Sequence, residues 1–463
     1  MTDGHSFLRN TPLIIPRSEH PISRKMIDED ALKVLYRLHR HGFLAYLVGG
    51  SVRDLLLGKN PKDFDVATNA HPHEINTLFK NSRIIGRRFR LVHIFFKGRK
   101  IIEVSTFRSR SEFEEINPVR SSSPSPQRLL TGGVLNPDRI ITKSILTAEK
   151  REMTSNGVET EEGDIIRTDS FGTPEEDAQR RDITINGLFY NISDFSIIDY
   201  IGGMADLERQ IIRTIGDPNE RFQEDPVRMI RVIRHAARTG FSIEDSTYQA
   251  IIRYRDEIRK CSLSRVRDEF IRDLKEGFAQ SSLHLMLQTG LLFSFFPDFL
   301  RVFGDWNPLK NKHQQFFLRL FGLVDRLIKL GRSIPESILF ALFLTPLLRA
   351  VAPEHPFLGE RERSIYLAQT IRLVIHQILS PFSIPKGIKE MASQILIAQE
   401  ILKKSIHRGA IPKRLKRKKY FLEAVLFYGM EAQAKNEKIP RLLRKAAPSD
   451  LLPWWPKESR RRH

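Results

Sequence analysis

A chain of 463 residues is longer than one hydrophobic core ordinarily supports, so more than one domain is expected. Its 41% hydrophobic content excludes a mainly disordered protein, and the single cysteine, Cys261, excludes a disulfide framework or a cysteine-built zinc site. The 75 Lys and Arg against 55 Asp and Glu, a net charge of +20, imply a polyanionic partner, either nucleic acid or an anionic membrane surface.

The opening segment MTDGHSFLRNTPLIIPR lacks the basic start and long apolar run of a secretory signal. Ile27, Ala31, Leu32, Val34, Leu35 and Leu38 then recur near a 3.6-residue period, which predicts a helix over 28–38. A strand over 43–48 follows, then the turn Gly49-Gly50 and a short helix over 51–57 that Gly58 ends. Residues 63–66 and 100–107 read as further strands of the same sheet. Periodicity fades between 109 and 173 into Ser-, Pro- and Glu-rich text, expected to be a flexible insertion. Structure resumes at Glu175, with a strand at 197–200, the pair Gly202-Gly203 and a short return at 211–215. From Glu220 the pattern is helical. Ile338 to Leu348 is too short for a membrane span and holds Pro346, so it reads as a buried core helix, and a cytoplasmic protein with no membrane contact is expected.

Two local patterns carry chemistry. In Tyr46-Leu-Val-Gly-Gly-Ser-Val-Arg-Asp, Gly49 and Gly50 let backbone N–H groups approach a polyphosphate, with Ser51 and Arg53 as an added hydroxyl and guanidinium; the plainer alternative is a tight strand-to-helix turn. In Pro61-Lys-Asp63-Phe-Asp65-Val, two carboxylates at i and i+2 of a strand share a face and repel unless a divalent cation lies between them. The alternative is a solvated strand end. Mg²⁺, or Mn²⁺ in its place, suits such a pair together with substrate phosphates. Glu103, within an apolar strand, is a candidate third acid or an exposed face residue.

The ordered set GGSVRDLLLG, DFD, RRDITIN and EDPVR resembles the class II nucleotidyltransferases, the group that holds bacterial poly(A) polymerases and tRNA CCA-adding enzymes. The resemblance is close from about 15 to 241, apart from the insertion, and fainter through the helical C-terminal half. It implies an α+β, polymerase-β-like head with a small mixed sheet, followed by an all-helical neck, body and basic tail. The expected spans are 1–202 for the head with its 109–173 insertion, 203–280 for the neck, 281–400 for the body and 401–463 for the tail. Asp63 and Asp65 would hold catalytic metal, Arg181, Asp182 and Asn186 would contact phosphate and ribose, and Asp225 and Arg228 would read the base. Asp225 and Arg228, three apart at a helix start, share a face on the spacing alone, although an N-cap with a surface ion pair explains them equally.

The segment Gly86-Arg-Arg-Phe-Arg-Leu-Val-His93 and the text before Asp182 resemble the poly(A)-adding branch, which implies addition of AMP from ATP to RNA 3′ ends and RNA-decay proteins as further partners. Two rivals are tRNA CCA addition and a non-catalytic RNA-binding protein on a transferase core. Arg231, Arg234, His235 and Arg238 form a basic stripe that either faces triphosphate or RNA or is a solvated helix face. Lys413, Arg414, Lys416, Arg417, Lys418 and Lys419, with Tyr420 and the terminal Trp454-Trp455, suit sequence-tolerant RNA binding. A solubilising tail is the alternative.

Overall fold

The computed structural model describes residues 11–86, 90–109, 171–304, 306–307, 311–351 and 359–447. It divides into two units, Met1–Gly216 and Asp217–His463.

The first unit is built on one mixed sheet. Its strands are β1 (Leu13–Ile15), β2 (Ala45–Val48), β3 (Asp65–Thr68), β4 (Ser82–Ile85), β5 (Leu91–Phe95), β6 (Ile101–Thr106), β7 (Leu188–Asn191) and β8 (Ile197–Asp199). Their order is β1-β8-β7-β2-β3-β6-β5-β4. Only β3 and β6 pair in parallel; the other neighbours are antiparallel. The helix expected before β2 is α1 (Glu29–Arg40), whose Asp28 cap accepts from the N–H groups of Asp30 and Ala31. Ala31, Val34, Leu35 and Leu38 are its buried stripe against β2 and β3. Each such Val or Leu contributes about 1.5–3 kcal/mol.

β2 through β3 and β6 match the expected strands, but β1, β4, β5 and β7 do not announce themselves in the sequence. β7 is central and buried at Leu188, Phe189 and Tyr190, so it shows no polar alternation to mark it. Tyr46, Val48, Ala67, Phe107, Ala178, Phe189 and Ile198 form a core on one side of the sheet. Ala178 comes from the next helix, α2 being Gly50–Leu56, α3 Pro72–Leu78 and α4 Pro174–Arg180.

The 203–216 stretch, expected to open the neck, belongs to the first unit. The Asp199 carboxylate accepts from the N–H groups of Ile201, Gly203 and Met204, and Asp206 takes the Thr184 hydroxyl at 2.7 Å. These bonds tie the segment to the sheet. Most of the expected insertion, 110–170, lies outside the described residues, as do 87–89 and the two terminal tryptophans. The insertion's flanks nevertheless meet: Arg108 and Phe171 form a β-bridge, and Gly172 N–H donates to the Phe107 carbonyl at 2.9 Å.

The second unit is predominantly helical and carries the expected neck, body and described tail together. Ile338 to Leu348 is buried inside the helix Glu336–Val351, as its apolar text requires. Phe270, Phe296, Phe299, Phe317 and Phe343 pack edge-on or tilted at ring distances of 4.7–6.2 Å. No helix among the described residues is long and apolar enough to cross a membrane.

Candidate active site

The turn after β2 brings the motif residues of the first unit together. Gly49 has φ +74° and ψ −142°, a conformation open to glycine. A β-carbon there would stand 3.4 Å from Arg181 Nη1 and 3.8 Å from Asp65 Oδ2, so this bare backbone lies between the acid and the guanidinium. The next two residues, expected to line a phosphate cradle, are turned inward instead. The Ser51 hydroxyl donates to the Val48 carbonyl at 2.8 Å and is buried. Arg53 is fully buried: Nη1 donates to Asn186 Oδ1 at 2.6 Å, and Nε and Nη2 donate to Asp54 Oδ1 at 2.9 and 2.8 Å. A buried cation needs such partners, and here it braces the turn under Gly50 and ties it to Asn186.

The acids are arranged differently from the simple strand pattern. β3 begins at Asp65, and Asp63 lies exposed just before it, so the two are not strand neighbours. Asp65 is in register with Glu103 of parallel β6, which puts those two side chains on the same face. Burial, then the nearby negative charge of Glu103, pushes the Asp65 carboxyl up to about 6, while Arg181 pulls it down and Asp63 adds to the rise. Among the described residues no three His, Cys, Asp or Glu side chains converge closely enough to hold a metal ion together. Glu103 lies on β6 beside Asp65, and its Oε1 is 3.3 Å from His93 Nε2. The Asp63 and Asp65 donors fit a hard divalent cation, since neighbouring carboxylates supply oxygen ligands and an intervening positive charge offsets their repulsion.

Arg181, just after α4, is held by Asp177, whose Oδ2 accepts from Nε at 3.3 Å and Nη2 at 2.9 Å. Its guanidinium lies 5.3 Å over the Phe189 ring. Asp182 and Asn186 are half-buried beside it in sequence. Asp177 and Asp54 are the residues that sequence reasoning passed over; Asp54 adjoins Arg53 and Asp177 stands one helical turn before Arg181, and those spacings were the available signal.

In the second unit the expected base readers are engaged. Asp225 Oδ2 accepts from Arg265 Nη2 at 2.9 Å, and Arg228 is buried with Nη1 3.7 Å from Glu224 Oε2. Pro226 caps the helix Val227–Thr239, so Asp225 stands just outside it. The basic stripe on that helix divides. Arg234, expected to face RNA, is buried against Glu269 and Asp273, and Arg231 Nε donates to Glu269 Oε1 at 2.9 Å. Burial pushes the Asp273 carboxyl up to about 7 against the pull of Arg234 and the Ser282 hydroxyl. Burial also disfavours the Glu269 anion, but Arg234 and Arg231 outweigh it and hold that carboxyl below its usual value. Arg234 is thus an internal counter-ion. By contrast Lys413, Arg414, Lys416, Arg417, Lys418 and Lys419 are exposed, and among the described residues none makes an ion pair. Ile411 and Leu415, buried with Leu402 and Phe421, anchor that segment, and Tyr420 is partly buried against the same cluster.

Comparison with known proteins shows the class to which this arrangement belongs. The family described as "Poly A polymerase head domain" matches residues 45–213, and "Probable RNA and SrmB- binding site of polymerase A" matches 240–302. Poly(A) polymerase I of Escherichia coli O6:H1 is 35% identical over 446 residues, covering 96% of this chain and 84% of its own. That of Salmonella typhimurium is 40% identical over 336 residues, 72% of this chain and 64% of its own. The CCA-adding enzyme of Lactobacillus johnsonii is 32% identical over 261 residues, 56% and 54% of the two chains. The chain belongs to the poly(A) polymerase family. Its fold is shared with the Bacillus stearothermophilus CCA-adding enzyme in complex with CTP, at TM-score 0.58 and 22% identity over 92% of this chain and 82% of that one.

Proposed function

We propose that the chain is a template-independent polynucleotide adenylyltransferase that adds AMP from ATP to RNA 3′ ends. The observation that carries this reading is the convergence of Gly49, Asp65 and Arg181 in a chain 35% identical to a Poly(A) polymerase I over 96% of its length. The RNA 3′ oxygen attacks the α-phosphate, its bond to phosphorus forms, the bond to the bridging oxygen breaks, and pyrophosphate leaves while the hydroxyl proton is lost. Asp63 and Asp65 would hold Mg²⁺, or Mn²⁺, whose charge when bound favours the ionised hydroxyl and offsets charge on the transferring group. Arg181, fixed by Asp177, presents donors to the phosphates. Gly49 leaves space for a close approach.

Asp182 and Asn186 are the ribose-side and phosphate-side candidates, and Ser51 and Arg53 act beneath them as braces. Base choice falls to Asp225 and Arg228 by family resemblance; the Asp225 carboxylate has further lone pairs to accept from a base beside its bond to Arg265. The exposed Lys413–Lys419 segment serves as a phosphate-binding stretch, through charge rather than sequence. Roles in mRNA processing and decay, RNA-decay protein partners and a cytoplasmic location, which suits the unpaired Cys261, follow from the same reading.

The test is incorporation of labelled ATP or CTP, with Mg²⁺, into an unstructured oligonucleotide and into tRNA trimmed of its CCA end. Long ATP-derived tails on both RNAs are expected. Short additions that need CTP and occur only on trimmed tRNA would transfer the chain to the CCA-adding branch, and RNA binding without pyrophosphate release would make it a non-catalytic binder.

A further inference from the structure

The segment Gly86–His93 resembles the poly(A)-adding branch, yet nothing in the reaction so far uses its last residue. The sheet gives His93 a place. Antiparallel β5 sets His93 opposite Glu103, and parallel β6 sets Glu103 beside Asp65, so His93, Glu103 and Asp65 form one row across one face. Arg83 of β4 is in register with His93 and extends the row. His93 Nε2 is 3.3 Å from Glu103 Oε1, with the imidazole mostly covered and the carboxylate half exposed. Phe95, two residues on, meets the His93 ring edge-on at 6.3 Å and limits its swing. An exposed glutamate with three free torsions samples many positions; a largely covered ring 3.3 Å from one oxygen favours those in which the two meet.

We infer that His93 is a positioning residue for nucleotidyl transfer, holding the Glu103 carboxylate beside Asp65 in the outer shell of the divalent-cation site. The inference rests on the proposed activity for its purpose and on the β5–β6–β3 register for its geometry. Glu103 shares a face with Asp65 on the neighbouring strand, which suits an acid that acts on the site by its charge and by accepting from a cation's water. Outer-shell partners of this kind typically change cation affinity or activity by about 10- to 100-fold when removed.

The experiment uses the full chain and His93→Ala, His93→Gln, Glu103→Gln and the His93→Ala/Glu103→Gln double variant. Mn²⁺ binding is followed by the electron paramagnetic resonance signal of the free ion without nucleotide, and AMP incorporation gives kcat and KM. His93→Ala should weaken Mn²⁺ binding about tenfold and lower kcat by a similar factor, with KM for RNA unchanged. His93→Gln, whose amide nitrogen reaches the Nε2 position, should restore both, and the double variant should lose no more than Glu103→Gln alone. Wild-type Mn²⁺ binding by His93→Ala would overturn the inference. So would a His93→Gln protein as impaired as His93→Ala with a matching fall in Tm, which marks a structural role. Should the wild-type chain bind Mn²⁺ but not incorporate AMP, the proposed activity fails, while the Mn²⁺ comparison still decides whether His93 acts through Glu103.

Discussion

The two units each gather charge, and they do so in opposite ways. In the sheet unit half-buried Asp65 lies near Glu103 and Asp63 with Arg181 opposing them, and its carboxyl rises to about 6. In the helical unit burial lifts the Asp273 carboxyl as well, to about 7, but there Arg234 pairs with both Glu269 and Asp273 and Arg231 with Glu269, so the pairing makes the difference. Charges compensated within the fold are structural, and acids left in excess are poised for something the chain does not supply. The contrast separates a site from a brace without any appeal to sequence likeness.

Replacing Asp63 and Asp65 together by Ala should break the first half of that contrast most severely, lowering AMP incorporation by at least about 10³-fold while circular dichroism stays unchanged. Retained incorporation would mean the acids are ornamental. In the helical unit Arg234→Ala takes the cation from covered Asp273 and leaves Glu269 with Arg231, so unfolding in denaturant should show a loss of about 3–5 kcal/mol. A loss below about 1 kcal/mol would show that Glu269 and Asp273 had found other partners.

Asp65→Asn should act with the reverse sign. A carboxyl raised from 3.8 to about 6 binds more protons folded than unfolded, so its ionisation destabilises the fold as pH rises through that window. In metal-free protein above pH about 6, Asp65→Asn should therefore gain up to about 3 kcal/mol, from roughly two units at about 1.4 kcal/mol each. The gain should vanish near pH 4, and a pH-independent gain would point to packing. Arg181→Lys keeps the charge but loses the planar fork, and should raise KM for ATP about tenfold. Smallest is the effect of turning Lys413, Arg414, Lys416 and Arg417 to Gln: each lost RNA phosphate contact should make the logarithmic salt dependence of RNA affinity about 0.7 shallower. An unchanged slope would make that segment a solubilising surface.

Much of the sheet unit was legible because its signals are local. The α1 stripe, the Gly49-Gly50 turn and the Asp63-Phe-Asp65 text each lie within a dozen residues. β7 escaped because a strand covered on both faces has no alternation, and β4 because it is short and lies at the sheet edge. Ser51 and Arg53 were placed in the cradle by proximity to the glycines, but a helical turn rotates them inward to Val48, Asp54 and Asn186. The stripe on the helix Val227–Thr239 was visible as spacing. Whether Arg234 met solvent or Asp273 depended on a helix 39 positions further along.

The sequence by itself determined the chemistry on offer: acids two residues apart, a glycine turn that admits phosphate, a pair of motif arginines and a large positive excess. These rest on covalent spacing and intrinsic backbone freedom, which need no partner to be read. Only the tertiary structure decided which charges stayed open. Strand register placed Glu103 between Asp65 and His93, and helix packing closed Arg234 onto its acids, because the desolvation and pairing of a charge depend on neighbours distant along the chain.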